Sequence, residues 1–340
     1  MYRTRIVVGL LLVLGMIVGV APGAHGADAA TFLGNWALVI PGGGAGWLGI
    51  TNEQGFLDGS ILWGGGSVIP VDSVLVDGDA LVVTRISDVE RKDAAGKVID
   101  TQRFTDTIRA TVSGDDMKLE LFEPSRGGSG IKHSEFAGKR IPPVPAAPVL
   151  SSVKYGKAIK LFNGKNLKGW KLTSEGQVNG WRAEKGVLIN DAVQEEGKAH
   201  KSYGNLRTEA EFEDFNLTLE VNVPAGGNSG IYLRGIYEVQ VADTFGKDLD
   251  PHNMGGIYSR ITPSVAAEKP AGEWQTYDIT LCDRHITVIL NGKTIIDNQP
   301  VLGCTGGALT SDEFKPGPLY LQGDHTAVSY RNIVLKPIVK

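Results

Sequence analysis

Two cysteines in 340 residues are too few for a disulfide-built scaffold, and neither the spacing nor the neighbours of Cys282 and Cys304 match a metal knot. The sequence leaves open whether they form one bridge or remain two buried thiols. Blocks of like charge are also missing: 34 Lys and Arg against 38 Asp and Glu give a net charge of −4 spread along the chain. That balance argues against nucleic acid and against an anionic membrane surface as partners, and favours neutral substrates. No sustained spacing of three and four marks a helical bundle. There is no nucleophile elbow and no His-Glu-x-x-His zinc helix. The glycine loops Gly42-Gly43-Gly44-Ala45-Gly46 and Gly64-Gly65-Gly66 lack the Lys-Ser/Thr of a phosphate-binding loop and read as turns.

One long apolar run is present. Ile6 to Val20 follows Arg3 and Arg5 and precedes the small residues around Ala24-His25-Gly26-Ala27. It falls short of the roughly 20 apolar residues of a spanning helix and reads as an export signal over residues 1–26, so the expected location is periplasmic or extracellular. No integral membrane segment is expected once it is removed.

The remaining 300 or so residues exceed what one core usually serves, and 45 glycines among short runs of Val, Ile, Thr and Leu point to strands and turns. The fold class expected is all-β, in two domains. Arg140-Ile141-Pro142-Pro143-Val144-Pro145-Ala146-Ala147-Pro148 is stiff and cannot join a central strand, so residues 141–155 read as the linker between a domain over 27–140 and one over 156–340. Upstream, seven apolar runs between Trp36 and Phe122, with a hairpin turn at Asp77-Gly78-Asp79, predict a small antiparallel barrel or sandwich of unassigned role. Its opening Gly34-Asn35-Trp36 is similar to the start of lipocalin-type barrels. Downstream, Phe215, Leu217, Leu219, Val221 and Val223 alternate with polar residues, and Asn291-Gly292 marks a tight hairpin, which predicts an antiparallel sandwich.

The segment Gly226 to Val241 predicts two strands around a glycine turn. With Ile231, Leu233, Val239 and Val241 on the core face and a loop at Gly235 to Tyr237, Arg234 falls opposite Glu238 and Tyr232 opposite Gln240. Such a face has aromatic area for sugar C–H groups and directed donors for hydroxyls; it could equally be a solvated outer face with a cross-strand ion pair. Gln322-Gly323-Asp324-His325 sets an imidazole beside a carboxylate, either a tuned base or a surface turn. Asp248 to Asn253 gathers oxygen and imidazole groups that could hold a divalent cation, though loop capping suits its spacing better.

Leu161-Phe162-Asn163-Gly164-Lys165-Asn166-Leu167-Lys168-Gly169-Trp170, then Gly227 to Arg234 with Tyr237 to Gln240, then Lys269-Pro270-Ala271-Gly272-Glu273-Trp274-Gln275, then Val288 to Gly292 and Leu321 to Ile333, together resemble the 3-keto-disaccharide hydrolase family. The resemblance spans about Ile159 to Ile338 and implies a concanavalin-like jelly roll that presents one sheet face to an oligosaccharide or glycoside. Glu238, His325 and Arg234 are then the catalytic candidates, and Asn228, Tyr232, Gln240, Gln322, Asp324 and Arg331 the substrate-binding ones. The chain departs from the family at Cys304, where similar proteins often have proline, and this favours a local disulfide. A ketone at sugar carbon 3 acidifies the proton on carbon 2, so Glu238 or His325 would remove it. Arg234 or a divalent cation would hold the enolate, and the other acid–base group would protonate the leaving oxygen. A non-catalytic glycan-binding module and an ordinary endo-glucanase are the rival readings on the same scaffold.

Overall fold

The computed structural model describes residues 27–194 and 201–339, so the expected export signal lies outside the described residues. Among those residues there is no α-helix, and none that is long and apolar enough to cross a membrane.

Residues 27–141 form one antiparallel sheet of nine strands: β1 (Gly34–Val39), β2 (Ala45–Glu53), β3 (Phe56–Trp63), β4 (Ile69–Pro70), β5 (Ser73–Asp77), β6 (Ala80–Lys92), β7 (Val98–Ser113), β8 (Asp116–Pro124) and β9 (Ile131–Ile141). Their order is β4-β3-β2-β1-β9-β8-β7-β6-β5. The stretch from β4 to β5 pairs first with β3 and then with β6, and at the crossing Val71 N–H donates to the Gly59 carbonyl while Asp72 N–H donates to Thr84. The two edges of the sheet therefore meet, which closes it into a barrel. Alternate residues such as Leu38, Leu48, Ile50, Ile61, Leu81, Val83, Ile108, Leu119 and Leu121 fill its interior. One end is sealed at Trp36, whose indole N–H donates to the Phe32 carbonyl, with the Arg140 guanidinium 4.1 Å from the ring centroid. Arg140 also donates to the Leu33 and Thr31 carbonyls.

The second unit is a two-sheet sandwich. Its larger sheet contains β10 (Lys154–Tyr155), β11 (Ile159–Lys160), β13 (Trp181–Glu184), β14 (Val187–Asn190), β16 (Phe215–Asn222), β19 (Gln275–Cys282), β20 (His285–Leu290), β21 (Lys293–Pro300) and β23 (Val328–Val339). The smaller is ordered β12-β15-β22-β17-β18, from Trp170–Leu172, Leu206–Phe212, Gly317–Leu321, Asn228–Leu233 and Tyr237–Ala242. Strand β16 alternates buried and half-buried residues along its whole length, as its sequence predicts. The β20–β21 turn carries Asn291 and Gly292 at φ 50° and 82°, the left-handed pair that a two-residue hairpin requires. Leu217, Leu219, Ile279 and Leu335 from one sheet meet Leu206, Ile231, Val239 and Leu321 from the other in one core.

The stiff segment 142–148 is held against the second unit: Arg284 donates to the Pro142 and Pro143 carbonyls and Asn298 to Pro148, while Lys154 and Tyr155 already pair with β23. One expectation is corrected: Cys282 and Cys304 do not form a local disulfide. Cys304 instead contacts the barrel, with its sulfur 3.6 Å from the Gly46 carbonyl oxygen, and burial pushes its thiol up to about 12.

Candidate functional site

The register of β17 on β18 sets Tyr232 opposite Glu238 and Gly230 opposite Gln240. It differs by two residues from the expected pairing because the turn is Arg234 to Ile236, with Arg234 and Gly235 at φ 56° and 66°. A slip of two preserves the faces, since side chains alternate with period two. Ile231, Leu233, Val239 and Val241 still enter the core, while Tyr232, Glu238 and Gln240 share the outer face of the smaller sheet. Over Gly230 lies the Glu238 carboxyl, in space that any Cβ at residue 230 would occupy.

That outer face is covered rather than solvated. Residues 254–258 add to the edge of β18, with Gly255 N–H donating to the Gln240 carbonyl and Tyr258 N–H to Glu238. Residues 304–309 cross the other end, where Thr305 Oγ1 accepts from Glu238 N–H at 2.9 Å. Between these segments and the sheet is a pocket of about 190 Å³, lined by Asn205, Asn228, Tyr232, Glu238, Gln240, Tyr258, Gly306, Gly307, Tyr320, Gln322, Asp324 and His325, and by Gly65 of the barrel.

Glu238 is the buried carboxyl of this pocket. The Tyr232 hydroxyl lies 2.8 Å from Glu238 Oε2 and 2.7 Å from the Gly306 carbonyl oxygen, and it has one hydrogen for two acceptors. The Tyr232 hydroxyl is thus shared between the two acceptors, and it is burial that favours the protonated carboxyl. Burial pushes the Glu238 carboxyl up to about 8, with the Asp324 charge adding to the rise and the Tyr232 hydrogen bond opposing it. Tyr320 stacks on Tyr232 at 4.1 Å between centroids, and its hydroxyl accepts from the Asn205 amide.

Opposite in character is the pair at the pocket's more open side. His325 Nδ1 lies 2.7 Å from Asp324 Oδ1. Burial would raise the Asp324 carboxyl, but the hydrogen bond and charge of His325 outweigh it and hold it below its ordinary value. That same bond holds His325 above its own, against a smaller opposing effect of burial. With Nδ1 engaged, Nε2 is the ring atom left to face a ligand. Asn228 Oδ1 and Gln322 Oε1 are buried without a hydrogen-bond partner, acceptors that a polyhydroxylated ligand would satisfy.

Seven of the nine residues named from sequence thus line one pocket. Two do not. Arg234 is buried beside the turn and donates to the Glu313 carbonyl at 2.8 Å and to the Lys315 carbonyl, so it is held as a structural cation rather than as the enolate partner expected of it. Arg331 lies on the larger sheet, paired with Glu220 at 2.5 Å and stacked over Trp274 at 4.0 Å. Asn205, Tyr258, Gly306 and Gly307, from loops with no pattern of their own, and Tyr320 of β22 line the pocket without having been named, and Gly65 belongs to a glycine loop read only as a turn. In Asp248 to Asn253, Asp250 accepts from His252 N–H and Asn253 from Asp250 N–H, the capped turn its spacing suggested. Among the described residues, the two carboxylate, histidine or cysteine groupings compact enough for a cation, Glu120-His133-Glu135 and Asp214-Cys282-Asp283, lie outside the pocket.

The fold and the pocket define a carbohydrate-active jelly-roll protein carrying an N-terminal barrel. The chain belongs to the family of the 3-keto-alpha-glucoside-1,2-lyase-like domain, which matches residues 157–336, just over half of its length. Among solved structures it is similar to two candidate glycosyl hydrolases from Parabacteroides distasonis. One is 30% identical over 58% of this chain and 94% of the other, with a TM-score of 0.44. The second is 22% identical over 54% and 94%, with a TM-score of 0.45. A non-specific endo-beta-1,3(4)-glucanase is 12% identical over 57% and 92%, with a TM-score of 0.34. No curated protein matches.

Proposed function

We propose that this is an exported enzyme that cleaves 3-keto-glycosides by elimination across carbons 1 and 2 of the oxidised sugar. The observation that carries the reading is one pocket holding two acid–base groups, a carboxyl at Glu238 that burial pushes up to about 8 and an imidazole at His325 paired with Asp324. Neutral His325, held by Asp324 through Nδ1, takes the carbon-2 proton at Nε2. The electron pair forms the enolate of the carbon-3 ketone, then returns to make the double bond between carbons 1 and 2 and breaks the bond from carbon 1 to the aglycone oxygen. Glu238 gives its proton to that oxygen. The products are a 2-hydroxy-3-keto-glycal and the free aglycone, and water added across the double bond would complete a net hydrolysis. Tyr232, anchored at the Gly306 carbonyl, positions Glu238, which regains a proton from solvent as His325 sheds one, while Asn228, Gln240 and Gln322 hold hydroxyls.

The test is to incubate the mature protein with a 3-keto-disaccharide and with its unoxidised parent, with and without chelator, and follow products by mass. Release from the oxidised sugar alone is expected, with the presence or absence of one added water separating hydrolysis from elimination. Release from the parent would favour an ordinary glucanase. Binding without release from either would favour a glycan-binding module, and loss of activity with chelator would add a divalent cation to the site.

A further inference from the structure

We propose that the barrel's loop Gly64-Gly65-Gly66-Ser67 is a wall of the sugar pocket, and that it restricts this enzyme to a single oxidised sugar at the end of a chain or on a small aglycone. The inference rests on the reading of this pocket as the 3-keto-sugar site and adds what the N-terminal barrel does there. Gly65 lines the pocket directly, together with Tyr258, Gly306 and Gly307. On one side of the loop, Gly307 N–H donates to the Gly64 carbonyl at 3.2 Å, and the Gly66 carbonyl fills the space a side chain at Gly306 would need. On the other side, Ser67 Oγ lies 3.0 Å from His252 Nε2, Val68 N–H donates to Ser259 Oγ, and the His252 ring sits edge-on to Tyr258 at 4.8 Å. The loop is therefore wedged between the two jelly-roll segments that roof the site.

Beneath it the barrel is fixed in place. Ala37, Ala45, Trp47, Leu62 and Ile141 of the barrel are part of the jelly-roll core. The Arg260 guanidinium lies 4.3 Å from the Trp47 ring centroid and donates to the Cys304 carbonyl at 2.6 and 3.1 Å. Ser311 Oγ donates to the Leu38 carbonyl at 2.8 Å. The wall is thus built in rather than recruited by substrate.

Gly64, at φ 71°, has a conformation that calls for glycine. Gly65 does not. Its φ is outside the left-handed region and a Cβ there would meet no protein atom within 4 Å, so neither backbone nor packing demands a bare Cα. Gly65 is itself exposed and lines the pocket. At about 190 Å³ that pocket is below the roughly 300 Å³ at which sites for drug-sized ligands begin, enough for one ring and not for a chain running through.

Two measurements on the full chain test this. The wild type is given oligosaccharides carrying the 3-keto unit either at the terminus or internally; cleavage at terminal units only is expected, and equal cleavage at internal units would overturn the wall. In the second, Gly65→Trp is compared with wild type on a 3-keto-disaccharide. We expect kcat/KM to fall about tenfold or more, the order of a steric conflict in a filled pocket, with the melting temperature unchanged. Unchanged kcat/KM in the folded variant would overturn the inference while leaving the functional reading intact. A wild type inactive on every 3-keto substrate would instead sink the functional reading. Should Gly65→Trp not fold, the end-selectivity of the wild type decides alone.

Discussion

Replacing Glu238 by Gln separates what the site costs in stability from what it contributes in chemistry. The carboxyl is 3% exposed, and burial raises it from an ordinary 4.5 to about 8. A folded-state pKa above the unfolded one means that the native protein binds more protons between those values. Stability therefore falls as pH rises from about 4.5 and levels off above about 8. At about 1.4 kcal/mol per pKa unit the loss over the whole window is on the order of 4 to 5 kcal/mol, of which about 3 has accrued by neutral pH. Glutamine keeps the shape, and its amide oxygen can accept from the Tyr232 hydroxyl as the carboxyl does, but it has no proton to lose. Urea unfolding near about pH 5, 7 and 9 should find Glu238→Gln close to wild type at the lowest pH and more stable by several kcal/mol at the highest. Turnover of a 3-keto-disaccharide should fall by about 10²- to 10⁴-fold. A stability difference that stays constant across the three pH values would refute the burial argument, and retained turnover would refute the role of acid.

Other outcomes follow from the same geometry. In the wild type, kcat/KM should rise with pH as His325 sheds its proton and fall through about pH 8 as Glu238 ionises. Asp324→Asn should move the acidic limb of that profile to lower pH, because the bond that holds His325 up is weakened; a limb that stays put would mean another group sets it. Arg234→Ala should cost about 2 to 4 kcal/mol in denaturant unfolding by stranding the Glu313 and Lys315 carbonyls, while kcat of the folded enzyme changes less than about twofold. A kcat collapse without a stability loss would return Arg234 to the chemistry. Arg331→Ala should lower stability by no more than about 1 kcal/mol, since its pairing with Glu220 is partly exposed, and leave kcat/KM unchanged in a steady-state assay.

Much of the fold was legible because it is written in local patterns: the alternation of β16, the Asn291-Gly292 and Asp77-Gly78-Asp79 turns, and the outer face shared by Tyr232, Glu238 and Gln240. Strand β9 was missed because its inward positions are poor in large apolar residues; Gly138 faces Leu38, Leu119 and Met117, which leave no room for a side chain. Arg234 was misplaced because a hairpin register depends on which residues enter the left-handed region, and the sequence Leu233-Arg234-Gly235-Ile236 does not say that the arginine joins the glycine there. Whether the polar face was solvated or a site could not be read from its own strands either. The answer lies in loops far away in sequence, at 254–258 and 304–309, and in the barrel at Gly65.

The hydrogen bond between Gly307 N–H and the Gly64 carbonyl has a consequence for assembly. Synthesis delivers the barrel first, and its closed sheet can form from its own strands long before residue 307 exists. It then serves as a template on which the loop of residues 304–309 sets. The pocket is therefore among the last parts of the molecule to be completed, and a lesion confined to the barrel surface around Trp47 would appear first as a poorly formed active site.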